Sequence, residues 1–211
     1  MPLIRLTLLV PELFWPDPED RETLDDLACP ALAALFARGR FSRRPPRAPE
    51  TVLAELSGQA ADVSLGALRR HGEAGIPADA EAARWIAADP VHLRFHQDRL
   101  ILADASTLTI SPEEAAALVD ALNGYFAALG VFHAASAERW YLRLAAGQEE
   151  GAEGALARLD APPLSAVAGR GVERQLTALA EDRAMLKLLN EIQTFLHAHP
   201  VNRRREDNGL P

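Results

Sequence analysis

Few residues in this chain combine the type and spacing that chemistry needs. One group is the alternation His92, Arg94, His96 in "VHLRFHQDRL". Residues two apart on a strand share a face. A row of imidazole, guanidinium and imidazole suits an anion such as a phosphate or carboxylate, and the alternative is the polar, solvent-facing side of a half-buried strand. Asp89, His92 and His96 are also metal-ligand types, but no fourth ligand or supporting shell is visible, so no metal is assigned. A second group lies in "HPVNRRREDNGLP", where Asn202 and Arg205 stand near three consecutive arginines. Arginine suits bidentate anion recognition. The competing reading is a solvated tail whose arginines complement a helix C-terminus. The basic "RFSRRPPR" run reads as a solvated loop or as a contact for an acidic partner. Cys29, the only cysteine, precedes a proline in an apolar context and is expected to be a small, buried, inert thiol.

The elements that must position these groups follow from local signals. Residues 3–10 are apolar and are expected to form a buried first strand. Helical spacing covers 22–38, with Pro30 suited to a first turn and Gly39 to a stop. Thr51 is a candidate cap for a short helix, and residues 64–70 and 79–88 carry further helical patterns. From Asp89 the apolar period becomes two, which predicts strands over 91–95 and 98–104 joined by a tight hairpin. Ser111-Pro112-Glu113-Glu114 is a capping box with proline at the first helical position. Its helix is expected to reach Gly130, burying Ala115, Leu118, Leu122, Tyr125 and Leu129. Strands at 131–135 and 139–144 follow, with one of Trp140 and Tyr141 in the core and the other near a surface. Apolar positions 185, 188, 189, 192, 195 and 196 mark one long amphipathic helix over 176–197. The expected organisation is three segments: 1–88 as part of an α/β core, 89–175 as an inserted α+β module, and 176–211 as a helix and tail returning to the core. In the module, the capped helix packs across one sheet of four strands.

The 211 residues suffice for a sizeable core, and 48% hydrophobic with 25% charged residues is ordinary for a globular protein. A formal net charge of -8 disfavours a general nucleic-acid binder, which needs a basic surface. The basic charge is almost all arginine, with Lys187 the only lysine. A single cysteine excludes an internal disulfide and fits a reducing, cytoplasmic setting. The apolar start is broken by Arg5 and Pro11 and followed by acidic residues, unlike a signal peptide. No segment is long enough to cross a bilayer.

"LLNEIQTFLHAHPVNRRREDNGLP" resembles a segment of the archaeal-type, cofactor-independent phosphoglycerate mutases that reads His-Pro-Val-Asn, then Arg, then Gly-x-Pro. "WIAADPVHLRFHQDRLILAD", "ISPEEAAALVDALNGYF" and "ERWYLRL" are similar to motifs of the proteobacterial RpfE-type regulatory proteins, often labelled phosphoglycerate mutase, so the resemblance covers most of the chain from Trp85 onward. It implies an α/β fold, an incomplete alkaline-phosphatase-like core with an inserted α+β module. It also carries anion-site roles onto Asn202 and Arg205, which match the mutase segment residue by residue. The mutases' first strand ends in a metal-binding Asp-Gly, because phosphoryl transfer needs ligands for two divalent cations. Here that strand ends "LLVPELFW", with only Glu12 nearby. Their nucleophilic serine, placed at a helix start to stabilise phosphate, has Thr51 in "APETVLAEL" as its nearest equivalent. The later Asp/His clusters lie beyond the point where this chain stops.

The leading expectation is therefore a non-catalytic, phosphoglycerate-mutase-like protein with a regulatory or small-anion-binding role. Its ligand would be a phosphorylated small molecule, with no cofactor and no nucleic-acid or membrane partner. A metal-dependent phosphomutase or phosphatase completed by a further C-terminal part is one alternative, and only that reading needs a divalent metal. An oligomerisation or scaffold module is the other.

Overall fold

In the computed structural model the chain is described over residues 6–10, 28–40, 42, 45, 47–59, 64–74, 84–145, 154, 156, 159 and 162–211. It divides into two units, Met1–Gln59 and Ala60–Pro211. The first unit holds helices α1 (Pro30–Arg38) and α2 (Pro49–Leu56), each with proline in its first turn. Proline there pre-sets φ and gives up an N–H that has no helical partner. Among the described residues of this unit only Ala54 is buried. Residues 6–10 form no strand, and Leu6 and Leu8 are exposed, against the expected buried strand. A strand's backbone groups need a paired neighbour, and none is present among the described residues. Residues 3–5 and Glu12 lie outside the described residues. Cys29 is exposed rather than buried, because α1 buries none of its own residues.

The second unit opens with α3 (Leu65–His71), capped by the Ser64 hydroxyl accepting from the Ala67 N–H. Strand β1 (Trp85–Ala87) follows, where a helix was expected over 79–88. Its pairing partner, far along the chain, overrides the local pattern. Next come the hairpin strands β2 (His92–His96) and β3 (Arg99–Ala103), turned at Gln97-Asp98 with Gln97 at φ 56°. The capping box appears as read: Ser111 Oγ accepts from the Glu114 N–H, and Glu114 Oε2 accepts from the Ser111 N–H. It opens α4 (Pro112–Tyr125), which ends before the expected Gly130. Strands β4 (Gly130–Ala134) and β5 (Trp140–Leu144) complete a three-stranded antiparallel sheet ordered β1-β5-β4. Gly130 sits at φ 140°, where a Cβ would run into the Arg143 carbonyl oxygen, so the tight start of β4 requires glycine.

The expected single sheet of four strands is not formed. The two edges of β5 are taken by β1 and β4, and β2–β3 make a separate two-stranded sheet. The far edge of β3 instead meets residues 169–172, through Gly169 N–H to Leu102 O at 2.8 Å and Val172 N–H to Leu100 O at 3.0 Å. The two units divide at 59/60, and α3 packs on β1 within the second. A Cβ on Gly66 would lie 2.9 Å from the Ala87 nitrogen.

Helix α4 lies on the sheet, and Asn123 fixes it there. Its amide donates to the Phe132 carbonyl at 3.0 Å and accepts from the Phe132 N–H at 2.7 Å. The core combines Leu118, Val119, Leu122 and Phe126 with Phe132, Trp140, Leu142, Leu188 and Val201. Tyr125, expected inside, is 59% exposed. It stacks on Phe195 and reaches Glu191, while Phe126 takes the core position. The long helix over 176–197 is two: α5 (Glu173–Ala180) and α6 (Arg183–Ala198). The break falls at Asp182, whose carboxylate accepts from the N–H groups of Ala184 and Met185. The final segment is helical as well, α7 (Pro200–Asp207), with His199 Nδ1 accepting from the Val201 N–H.

Candidate functional site

Among the described residues, a cluster of charged and polar side chains joins α3 to β5. Arg69 donates from Nη1 and Nη2 to the two oxygens of Asp89, at 2.7 and 2.8 Å, and from Nε to the Tyr141 hydroxyl at 2.7 Å. Tyr141 donates in turn to Glu73 Oε1 at 2.9 Å, and Arg139 grips Glu73 from Nε and Nη2 at 2.5 and 3.1 Å. The Trp140 N–H adds a bond to Asp89 at 2.9 Å. Two guanidinium groups thus face two carboxylates across one phenol.

The pairing biases the protonation of Glu73 and Tyr141 in opposite senses. Arg139 and the Tyr141 hydroxyl hold the Glu73 carboxyl below its ordinary range. Burial, then the hydrogen bond to Glu73, push the Tyr141 phenol up, so it stays protonated and keeps donating. The cluster is balanced in charge, and its hydrogen bonds run between its own members. That arrangement clamps α3, Glu73 and Asp89 onto β5. Trp140 and Tyr141 are both buried, at 3% and 0% exposure, where one was expected near a surface. The sheet is covered on both sides: Trp140 joins the apolar core, and Tyr141 lies under the Arg69 guanidinium.

Arg205 is 3% exposed. Its Nη1 donates to Glu114 Oε2 at 2.7 Å, its Nη2 to the Leu108 carbonyl and to the main-chain oxygen of Pro211, and its Nε again to Pro211. The fork that suited an external anion is occupied by the protein's own acceptors. Asn202 donates to the Leu196 carbonyl at 2.8 Å, across the junction of α6 and α7. The segment is neither a solvated tail nor an open anion pocket. Thr51 stands as the third residue of α2, whose N-cap is Ala48, and Glu50 adds a negative charge to the same first turn.

His92, Arg94 and His96 alternate along β2 as expected, opposite Ala103, Ile101 and Arg99 of β3. Arg94, His96 and Arg99 are exposed and His92 is half-buried. Asp89 does not join them, since both its oxygens face Arg69 and Trp140. Among the described residues no group of three metal-ligand side chains comes together, and no helix is long and apolar enough to cross a membrane. No family model, curated protein or solved structure matches this chain.

The clamp was missed in the sequence for a definable reason. Arg69 reaches Asp89 across 20 positions and Tyr141 across 72. No local period encodes such pairs. Of the clamp's members, the sequence marks only Asp89, as a metal-ligand type, and Tyr141, through its alternation with Trp140.

Proposed function

We propose that this chain is a non-catalytic, phosphoglycerate-mutase-like protein of regulatory type, in line with the RpfE-type proteins its sequence resembles. Its anion site is the basic face of the β2–β3 hairpin. One contrast carries the reading. The guanidinium groups of Arg69, Arg139 and Arg205 are engaged by the protein's own oxygens, whereas Arg94 is exposed between His92 and His96 on a single strand face. A planar guanidinium between two imidazoles places hydrogen-bond donors along one strand face, where a phosphate or carboxylate could meet them. The ligand expected is a phosphorylated small molecule.

Titration of 3-phosphoglycerate and of inorganic phosphate, followed by amide and side-chain NMR shifts, tests this. The shifts are expected at 92–96, and Arg94→Ala weakens binding about tenfold, the scale of one charge-assisted hydrogen bond. Shifts centred elsewhere, or affinity unchanged by Arg94→Ala, would overturn the assignment.

A second reading, as an oligomerisation module, rests on the first unit. Leu35, Leu53 and Leu56 on its two helices are 63%, 52% and 55% exposed, and apolar surface of that kind marks interaction faces. Sedimentation equilibrium separates the two readings.

A further inference from the structure

The hairpin register sorts its residues into two unlike faces. His92, Arg94 and His96 lie with Ala103, Ile101 and Arg99 on one face, and Leu93 and Phe95 with Leu102 and Leu100 on the other. The second face is wholly apolar, yet Phe95 is 82% exposed. The two edges are unlike as well. Residues 169–172 cover the outer edge of β3. Along the outer edge of β2, no strand and no backbone hydrogen bond is found among the described residues. A strand edge with no backbone partner among the described residues, beside an exposed aromatic ring, is the kind of surface to which an extended chain adds.

We propose that the outer edge of β2 takes an extended segment of a partner protein in which acidic and apolar side chains alternate, added as a further strand. The pleat dictates the alternation: residues of an added strand fall in turn beside Arg94 and beside Phe95. Carboxylates then meet Arg94, and apolar side chains cover Phe95 and Leu93. The nearby acidic groups lie elsewhere, Asp98 in the turn and Glu173, at the start of α5, on the β3 side, where it accepts from the Leu100 N–H. A second copy of this chain fits poorly. Antiparallel registers that keep the two apolar faces together place Arg94 against Arg94, His92 or His96 of the copy, and opposed basic groups are unfavourable. The proposal rests on the anion reading above in one respect, that Arg94 meets a carboxylate.

The test uses the full chain and two end-blocked ten-residue peptides, one alternating Glu and Val and the other alternating Lys and Val. Affinity is read by fluorescence anisotropy, and hydrogen exchange is read at the amides of residues 92–96. The Glu–Val peptide is expected to slow exchange at alternate amides of β2 and to bind at least about tenfold tighter than the Lys–Val peptide. Arg94→Glu reverses that order, a gain of binding that an unfolded variant cannot produce. Phe95→Ser weakens the Glu–Val peptide about tenfold, the loss from uncovering one buried aromatic contact, with an unchanged circular dichroism spectrum. If phosphate binds at Arg94 but neither peptide protects β2, strand addition fails and the anion reading stands. If Glu–Val protects β2 while free phosphate does not bind, strand addition stands and the small-anion reading fails. Protection of the same amides that grows with protein concentration in the absence of peptide identifies a second copy as the occupant and overturns the proposal.

Discussion

Tyr141 has no exposed surface, yet it carries a hydroxyl that must be satisfied. Arg69 donates to it and Glu73 accepts from it, so the phenol is held as a relay between opposite charges. Buried networks of this kind are stabilising when complete and costly when broken. Protonation of Glu73 would break its part of this network. Because Arg139 and Tyr141 lower its carboxyl below the usual 4.5, the folded chain takes up that proton less readily than the unfolded one. Its stabilisation is therefore complete above pH 4.5 and is lost as the pH falls through the lowered value. Glu73→Gln is expected to be about 1 kcal/mol less stable than the parent at neutral pH, a figure kept small because Arg139 is half exposed. The difference closes on acidification. Urea midpoints measured from neutral pH downward check this, and a gap that persists in acid counts against it. None of this was legible in the sequence, because the partners are brought together only by the sheet. The alternation of His92, Arg94 and His96 was legible, because a strand's period is local.

At the scale of elements, what the sequence announced was what the chain encodes within a few residues. The capping box at Ser111, the hairpin at 92–103 and the apolar stripe of α6 are such features. Strand β1 was missed because three residues have no period of their own and exist as a strand only by pairing with β5. The join between α7 and α4 shows the same limit. Glu114 serves two helices at once, accepting from the Ser111 N–H and from Arg205 with one oxygen. Arg205→Ala removes the charge partner of Glu114 and leaves the Leu108 carbonyl and the main-chain oxygen of Pro211 without their donor. It is expected to cost about 3 kcal/mol, the scale for breaking a buried pair. Arg205→Lys recovers less than half, since an ammonium cannot span three separated acceptors from one plane. Chemical denaturation measures both. An Arg205→Ala chain of parental stability that had lost affinity for a phosphorylated ligand would return Arg205 to the role of anion receptor.

For the molecule as a whole, the two units differ in how much they bury. The core cluster, from Ala115 to Val201, belongs entirely to Ala60–Pro211. In Met1–Gln59, α1 buries no residue and α2 buries only Ala54. Helices of nine and eight residues are too short to persist on propensity alone, since nucleation is unfavourable and most helical stability in proteins comes from tertiary packing. Local opening follows burial, so segments with few buried apolar contacts open at free energies well below that of global unfolding. Amides of 52–56 in α2 and 34–38 in α1 are therefore expected to exchange at least about a hundredfold faster than those of 116–122 in α4, a difference of about 2.7 kcal/mol in opening free energy. Native-state hydrogen exchange on the intact chain checks this directly. Equal protection in α1, α2 and α4 at low protein concentration would mean that the first unit shares the cooperative core. Protection of α1 and α2 that rises with concentration would mean that Leu35, Leu53 and Leu56 are covered by a second copy, as the oligomerisation reading requires.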